Sequence, residues 1–230
     1  MSSNANALEE GFVYLAKVNP NIVVDLRYAN TLNFLNQPVQ GYHKNVAIMT
    51  HEAALALTEA EAILNKQGYA LVLYDAYRPQ KAVQHFVSWS KTSDEAAKLA
   101  FYPRVNKPDF FKLGYVSNES AHCRGSTVDV SIIKIGARLH APRSVPRTLP
   151  DGAIYIYLED GTIDMGTAFD FFDVLSWPES TEISHAAQKN RQILSYAMKE
   201  AGFVPISTEW WHFTLNNEPF PNTAFDFNVE

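Results

Sequence analysis

The sequence predicts an α+β fold in a single domain spanning residues 1–230. Three observations carry that expectation. Segments with helical and with strand periodicity both occur, and they do not alternate in a regular βαβ repeat. No internal repeat or low-complexity linker divides the chain. Hydrophobic residues make up 47% and aromatics 13%, enough for a sizeable core at this length.

The elements follow in order. Residues 21–29 (NIVVDLRYA) cluster Val and Ile after Pro and Asn and read as a strand. Thr50 is placed to cap a helix over about 51–67. There Ala53, Leu57, Ala60 and Leu64 recur at helical spacing, and Gly68 ends the run. Residues 69–76 (YALVLYDA) are an apolar strand. They feed a helix with Pro79 in its first turn and Ala82, Val83, Phe86 and Trp89 on one face. Arg78 therefore sits at a strand-to-helix junction, a usual place for functional side chains, its plainer reading being a structural arginine paired with the following helix or with Asp75. Residues 127–133 (TVDVSII) read as another strand. The stretch 134–152, with its prolines and scattered arginines, reads as a surface-loop insertion. Residues 153–166 (AIYIYLEDGTIDMG) alternate around Asp160-Gly161 and suggest a hairpin turning there. A helix is expected over about 184–201, closed by Gly202. The stretch 203–215 (FVPISTEWWHFTL) has strand character.

Composition excludes several functions. The chain carries 19 basic and 25 acidic residues, net −6, and no Lys/Arg run, which excludes a nucleic-acid partner. No apolar run approaches the ~18 residues of a membrane span. The polar N-terminus has no basic-then-apolar segment, so the expected compartment is the cytoplasm, or the periplasm if a signal was removed. The single cysteine, Cys123, rules out an internal disulfide and a multi-cysteine zinc site. Oligomeric state is not legible in the sequence.

Two stretches carry chemistry. In SAHCRGSTVD (120–129), His122 and Asp129 flank Arg124-Gly125, where the chain can turn and bring the two side chains together. In EWWH (209–212), His212 follows Glu209 by three residues. A regular strand would point these two in opposite directions, so a shared site needs a bulge or turn at Trp210-Trp211. The tryptophans would then wall the site. Zinc hydrolases hold the metal with three protein ligands and keep one position for water. A carboxylate that does not bind the metal moves the proton. These residues supply those parts, but each has a plainer reading: His122 in a turn, His212 half-buried among aromatics, Glu209 as a surface carboxylate. Asp129 between apolar strand neighbours is costly unless paired or ligated. On strand parity, Cys123 is expected to face away from His122.

The pattern S-x-H-x-x-G-x-x-x-D … E-x-W-H, formed by Ser120, His122, Gly125, Asp129, Glu209, Trp211 and His212, resembles the signature of the VanX-type zinc D-alanyl-D-alanine dipeptidases. These belong to the wider group of D-Ala-D-Ala peptidases and Hedgehog-like domains. DLRYANTLNF, GYALVLYDAYRPQKAV, GTAFDFFD, AQKNRQIL and EPFPNTAFDF also resemble the family, in its order, from about residue 10 onward. The resemblance implies a central, mainly antiparallel sheet flanked by helices. It implies one Zn2+ per chain held by His122, Asp129 and His212, with Glu209 as base and then acid, and Arg78 stabilising the oxyanion. It further implies that Ser120, Asp170 and Tyr28 contact the substrate, a small D-Ala-D-Ala dipeptide, with Asp170 holding its ammonium group. Cys123 stands where a small residue such as serine is expected, and 134–152 is longer than a compact member needs. Two other readings remain open: a D,D-carboxypeptidase or endopeptidase acting on longer peptidoglycan stems, and a non-catalytic zinc-stabilised binding module. A hydrolase built on Ser120 or Cys123 lacks the third member of a triad.

Overall fold

The computed structural model describes residues 8–230. The polar N-terminal stretch falls largely on residues 1–7, outside the described residues. Nine strands run β1 (Phe12–Tyr14), β2 (Val23–Val24), β3 (Ile48–Thr50), β4 (Tyr69–Asp75), β5 (Thr127–Lys134), β6 (Arg143–Thr148), β7 (Ile154–Glu159), β8 (Phe203–Pro205) and β9 (His212–Leu215) among the described residues. The helices are α1 (Leu15–Val18), α2 (His51–Asn65), α3 (Gln80–Ser90), α4 (Lys98–Phe101), α5 (Phe110–Leu113) and α6 (His185–Glu200), with four short 3-10 turns between them.

The central sheet has the order β2-β4-β5-β9-β8, and every pairing is antiparallel except β2 with β4. This is the expected α+β architecture. β4 and β5 are buried along most of their length and lie in the middle, where both faces are covered. α2 and α6 pack on each other and on the sheet. Thr50 caps α2 by accepting from Ala53 N, and Ser184 caps α6 by accepting from Ala187 N. Buried Glu61 on α2 accepts Leu71 N of β4 at 2.6 Å, which ties the helix to the sheet through an otherwise orphaned donor. Among the described residues, no helix is long and apolar enough to cross a membrane.

The structure differs from the sequence reading in three places. The stretch 134–152, expected as a surface loop, carries the largely exposed strand β6, because it pairs with β7. The strand expected over 21–29 survives only as β2, because the chain leaves the sheet at Asp25. Arg27 then turns inward to pair with Asp25 and Asp160, and Tyr28 lies in the 3-10 turn Arg27–Ala29 rather than in a strand. The hairpin expected around Asp160-Gly161 turns instead at 149–153, where Leu149 N donates to Ala153 O and β6 pairs with β7. Asp160 cannot be a solvent-facing turn residue. It is buried and accepts from Arg27, Tyr74 and Thr162. After Gly161 the chain returns to the main sheet, with Ile163 N donating to Ile132 O.

Candidate metal centre and active site

Three adjacent strands of the sheet converge on one point. Asp75, Asp129 and His212 form a row across β4, β5 and β9: Asp75 opposes Asp129, and Asp129 opposes His212 in direct register. His122 enters from the 3-10 turn Ala121–Arg124 rather than from a strand, so the parity argument for it and for Cys123 does not apply. Gly125 ends that turn at φ +82°, in the left-handed region. A β-carbon at this position would lie 2.2 Å from a ring carbon of Phe12. Glycine is therefore needed twice over, and it lets the chain fold His122 back over Asp129.

Three donor atoms result. His122 Nε2 lies 3.3 Å from Asp129 Oδ1, His212 Nδ1 lies 3.1 Å from the same oxygen, and the two ring nitrogens are 3.2 Å apart. Tetrahedral zinc, with ligands at about 2.0–2.1 Å, requires separations of about 3.3 Å. Asp129 Oδ1 is buried, and among the described residues it accepts no hydrogen bond although two imidazoles approach it. Such an atom is costly unless something else compensates it. The donor set suits zinc, and these three residues form the group placed to hold a metal among the described residues.

The neighbours fix this geometry. His122 Nδ1 faces the Ala76 carbonyl at 2.7 Å. A carbonyl only accepts, so Nδ1 carries the proton and Nε2 presents its lone pair to the cluster. Burial lowers the His122 pKa, against the pull of Asp129. Burial works against charge on Asp129 too, but His122 and His212 outweigh it and hold the carboxyl far below its usual range. Burial likewise opposes charge on His212, but its contact with Asp129 prevails and raises its pKa.

Glu209 precedes β9 in a turn through Trp210 and Trp211, so it and His212 reach the same cavity, with Glu209 Oε2 3.6 Å from His212 Nδ1. Burial raises the Glu209 carboxyl to about 7. The tryptophans do not wall the cavity as expected. They are buried and lie outside its lining, Trp210 donating its indole N–H to Thr167 Oγ1 and Trp211 packing edge-on against Phe169. Cys123 is buried as well, and burial pushes its thiol up to about 11, which leaves it unreactive.

Arg78 lies three residues beyond the end of β4. Its Nε donates to Asp75 Oδ2 at 2.9 Å, and its guanidinium packs over the neighbouring rings of Tyr28 and Phe86, 5.0 and 5.1 Å from their centroids. Asp75 is itself held by Tyr42, whose hydroxyl donates at 2.6 Å. The sequence reading offered Asp75 only as an alternative partner for Arg78 and missed Tyr42. The available signal was a carboxylate at the end of an apolar strand, three residues before the arginine. Asp170 adopts a left-handed backbone (φ 61°), rare for a residue other than glycine, and accepts the Tyr28 hydroxyl at 2.8 Å. Burial, reinforced by Asp129, raises its carboxyl well above the ordinary value.

All eight residues singled out from sequence (Tyr28, Arg78, Ser120, His122, Asp129, Asp170, Glu209 and His212) line one cavity of about 170 Å³. Phe34, Tyr115, Phe172 and Ile206 also line it, and the sequence reading did not find them. Asp129, Asp170 and Glu209 share this cavity with a single guanidinium, that of Arg78. That excess of negative charge favours a bound cation.

Comparison with known proteins gives matches over nearly the whole chain. The sequence model of a peptidase family described as D-ala-D-ala dipeptidase matches residues 8–139 and 152–230. The chain is 34% identical to a D-alanyl-D-alanine dipeptidase of Enterococcus faecium, across 97% of this chain and 100% of that protein. It is 32% identical to one of Streptomyces coelicolor (95% and 98%) and 31% identical to one of Escherichia coli (88% and 83%).

Proposed function

We propose, on the premise that this chain belongs to the D-Ala-D-Ala dipeptidase family of peptidases, that it hydrolyses D-alanyl-D-alanine to two D-alanines with one zinc ion. His122, Asp129 and His212 would hold the metal, which polarises the scissile carbonyl and lowers the pKa of the attacking water. Glu209 accepts the water proton and passes it to the leaving amine as the C–N bond breaks. Its burial favours both roles, since a carboxyl near neutrality can take and return a proton. Arg78 is already oriented by Asp75. It donates to the carbonyl oxygen as that oxygen gains charge, an interaction strongest in the transition state. Asp170 and Tyr28 receive the substrate ammonium, and Ser120 contacts its polar groups.

The observation that most supports this reading is the triangle of donor atoms about Asp129 Oδ1, with a second carboxylate, Glu209, beside it. The buried Asp170 favours a free amino terminus over a longer peptide, because an acylated nitrogen would leave its carboxylate unpaired. A kinetic panel tests both points. Zinc-loaded protein should cleave D-Ala-D-Ala, lose activity to EDTA and recover it with zinc, and turn over N-acetyl-D-Ala-D-Ala far more slowly. Full activity without metal, or preference for the acylated substrate, would overturn the proposal.

A further inference from the structure

Asp170 lies in the segment 166–173, whose side chains diverge. Phe169 and Phe172 enter the main core, stacking on Tyr74 and Tyr115. Ala168 and Phe171 turn the other way, into a separate small core with Leu149, Tyr155, Tyr157 and Leu175. Three of those partners belong to the β6–β7 hairpin, and the Tyr155 and Phe171 rings are 4.7 Å apart.

The hairpin also holds both ends of the segment. At the start, Arg147 on β6 makes a two-pronged pair with Asp164, at 3.1 and 2.9 Å, while its guanidinium lies 3.4 Å from the Tyr157 ring centroid. Asp164 Oδ1 in turn accepts Gly166 N at 2.7 Å, and Gly166 O accepts the Tyr155 hydroxyl. At the far end the grip is indirect: Arg104, outside the hairpin, clasps Asp173 through two donors, at 2.8 and 2.6 Å, and reaches Asp151 within the hairpin turn at 3.3 Å. Asp173 Oδ1 also accepts Leu175 N. Between these grips stands the left-handed Asp170, a conformation that persists only when its surroundings impose it.

We propose that the β6–β7 hairpin, acting chiefly through Arg147, positions Asp170 against the metal cluster and so sets the affinity for a free amino terminus. Arg147 is a positioning residue: it acts through Asp164 and Gly166 and does not line the cavity. All of β6 lies in 140–151, the stretch that the family match leaves out. This inference rests on the reading of Asp170 as the ammonium partner.

The test is a double-mutant cycle on the zinc-loaded full chain with Arg147→Ala, Asp170→Asn and the combination, reading KM and kcat for D-Ala-D-Ala and zinc content. Arg147→Ala should raise KM roughly tenfold with kcat within about twofold and full zinc occupancy. It should add little in the Asp170→Asn background. Asp151→Ala, an exposed change at the other grip, should raise KM in the same direction. Three results would overturn the inference alone: an unchanged KM in both hairpin variants, kcat falling in step with KM, or an Arg147 effect that persists undiminished beside Asp170→Asn. A normal KM in Asp170→Asn itself would overturn the ammonium reading and this inference with it.

Discussion

Asp129 and His212 oppose each other directly across β5 and β9, with Asp129 Oδ1 3.1 Å from His212 Nδ1. Two of the three donors are thus fixed by backbone pairing, and the metal would bind a site that the sheet has already formed. Anything that binds the folded state alone stabilises it, by about 2.7 kcal/mol at a hundredfold excess over Kd. EDTA should therefore lower Tm by several degrees and zinc should restore it, read by differential scanning fluorimetry. An identical Tm with and without chelator would count against metal binding at this cluster.

Glu209 lies beside the triad without belonging to it. Glu209→Gln should retain zinc, measured by elemental analysis, and lose about 10²–10⁴ in kcat. Asp129→Asn should lose both metal and turnover. If Glu209→Gln turned over at nearly the normal rate, the base would have to be sought elsewhere.

Arg78 is held at one edge by Asp75 and packs over the adjacent rings of Tyr28 and Phe86. A lysine keeps the charge but neither the fork nor the flat faces. Arg78→Lys and Arg78→Ala should therefore both reduce kcat, by about 10²–10³, with Lys recovering little. Near-complete rescue by lysine in steady-state kinetics would show that only charge matters there.

The sequence exposed the chemistry more fully than the geometry. Asp129 could be singled out because a carboxylate among Val128, Val130 and Ile132 demands a partner, and the turn at Gly125 could be anticipated from its residue type. The pairing of Asp129 with His212 could not. It depends on β9 lying beside β5, a long-range contact that no local pattern records. The β6–β7 turn was misplaced for a similar reason. Asp160-Gly161 has strong turn character, but Arg27 and Tyr74, both distant in sequence, take Asp160 into the interior. Tertiary partners outweighed a local preference there, as they did where Arg27 ended the strand expected over 21–29.

Asp160 also makes a pH-dependent contribution. Burial opposes its charge, but Arg27 and the donors from Thr162 and Tyr74 prevail, so its carboxyl titrates below the ordinary value. A group depressed in the folded state contributes stability that is complete above its unfolded pKa, about 3.9, and is lost as pH falls through the folded value. Asp160→Asn should thus cost about 3 kcal/mol at neutral pH, where it leaves Arg27 buried and under-paired. The gap from the parent should narrow below about pH 4. Urea melts at pH 7 and pH 3.5 check this; a gap independent of pH would mean that packing, not charge, accounts for the loss.

Gly125 joins the fold to the metal cluster. Its carbonyl accepts Thr50 N at 2.8 Å and its own N–H donates to His122 O at 3.0 Å, so the turn that delivers His122 is tied to the cap of α2. Alanine here meets the Phe12 ring at 2.2 Å and must also hold a left-handed backbone. The first cost falls on packing, because Phe12 is fixed between Tyr77, Phe220, Phe225 and Phe227 and cannot step aside. The second strains the turn itself, by about 1 kcal/mol. Gly125→Ala should lose roughly 2–4 kcal/mol in all and displace His122 from Asp129. Zinc affinity should then fall along with stability, whereas Gly152→Ala, with open space around its β-carbon, should leave zinc affinity unchanged. Competition with a chromophoric chelator alongside urea melts would separate the two effects. Parental zinc affinity in Gly125→Ala would mean that the turn does not set the position of the histidine.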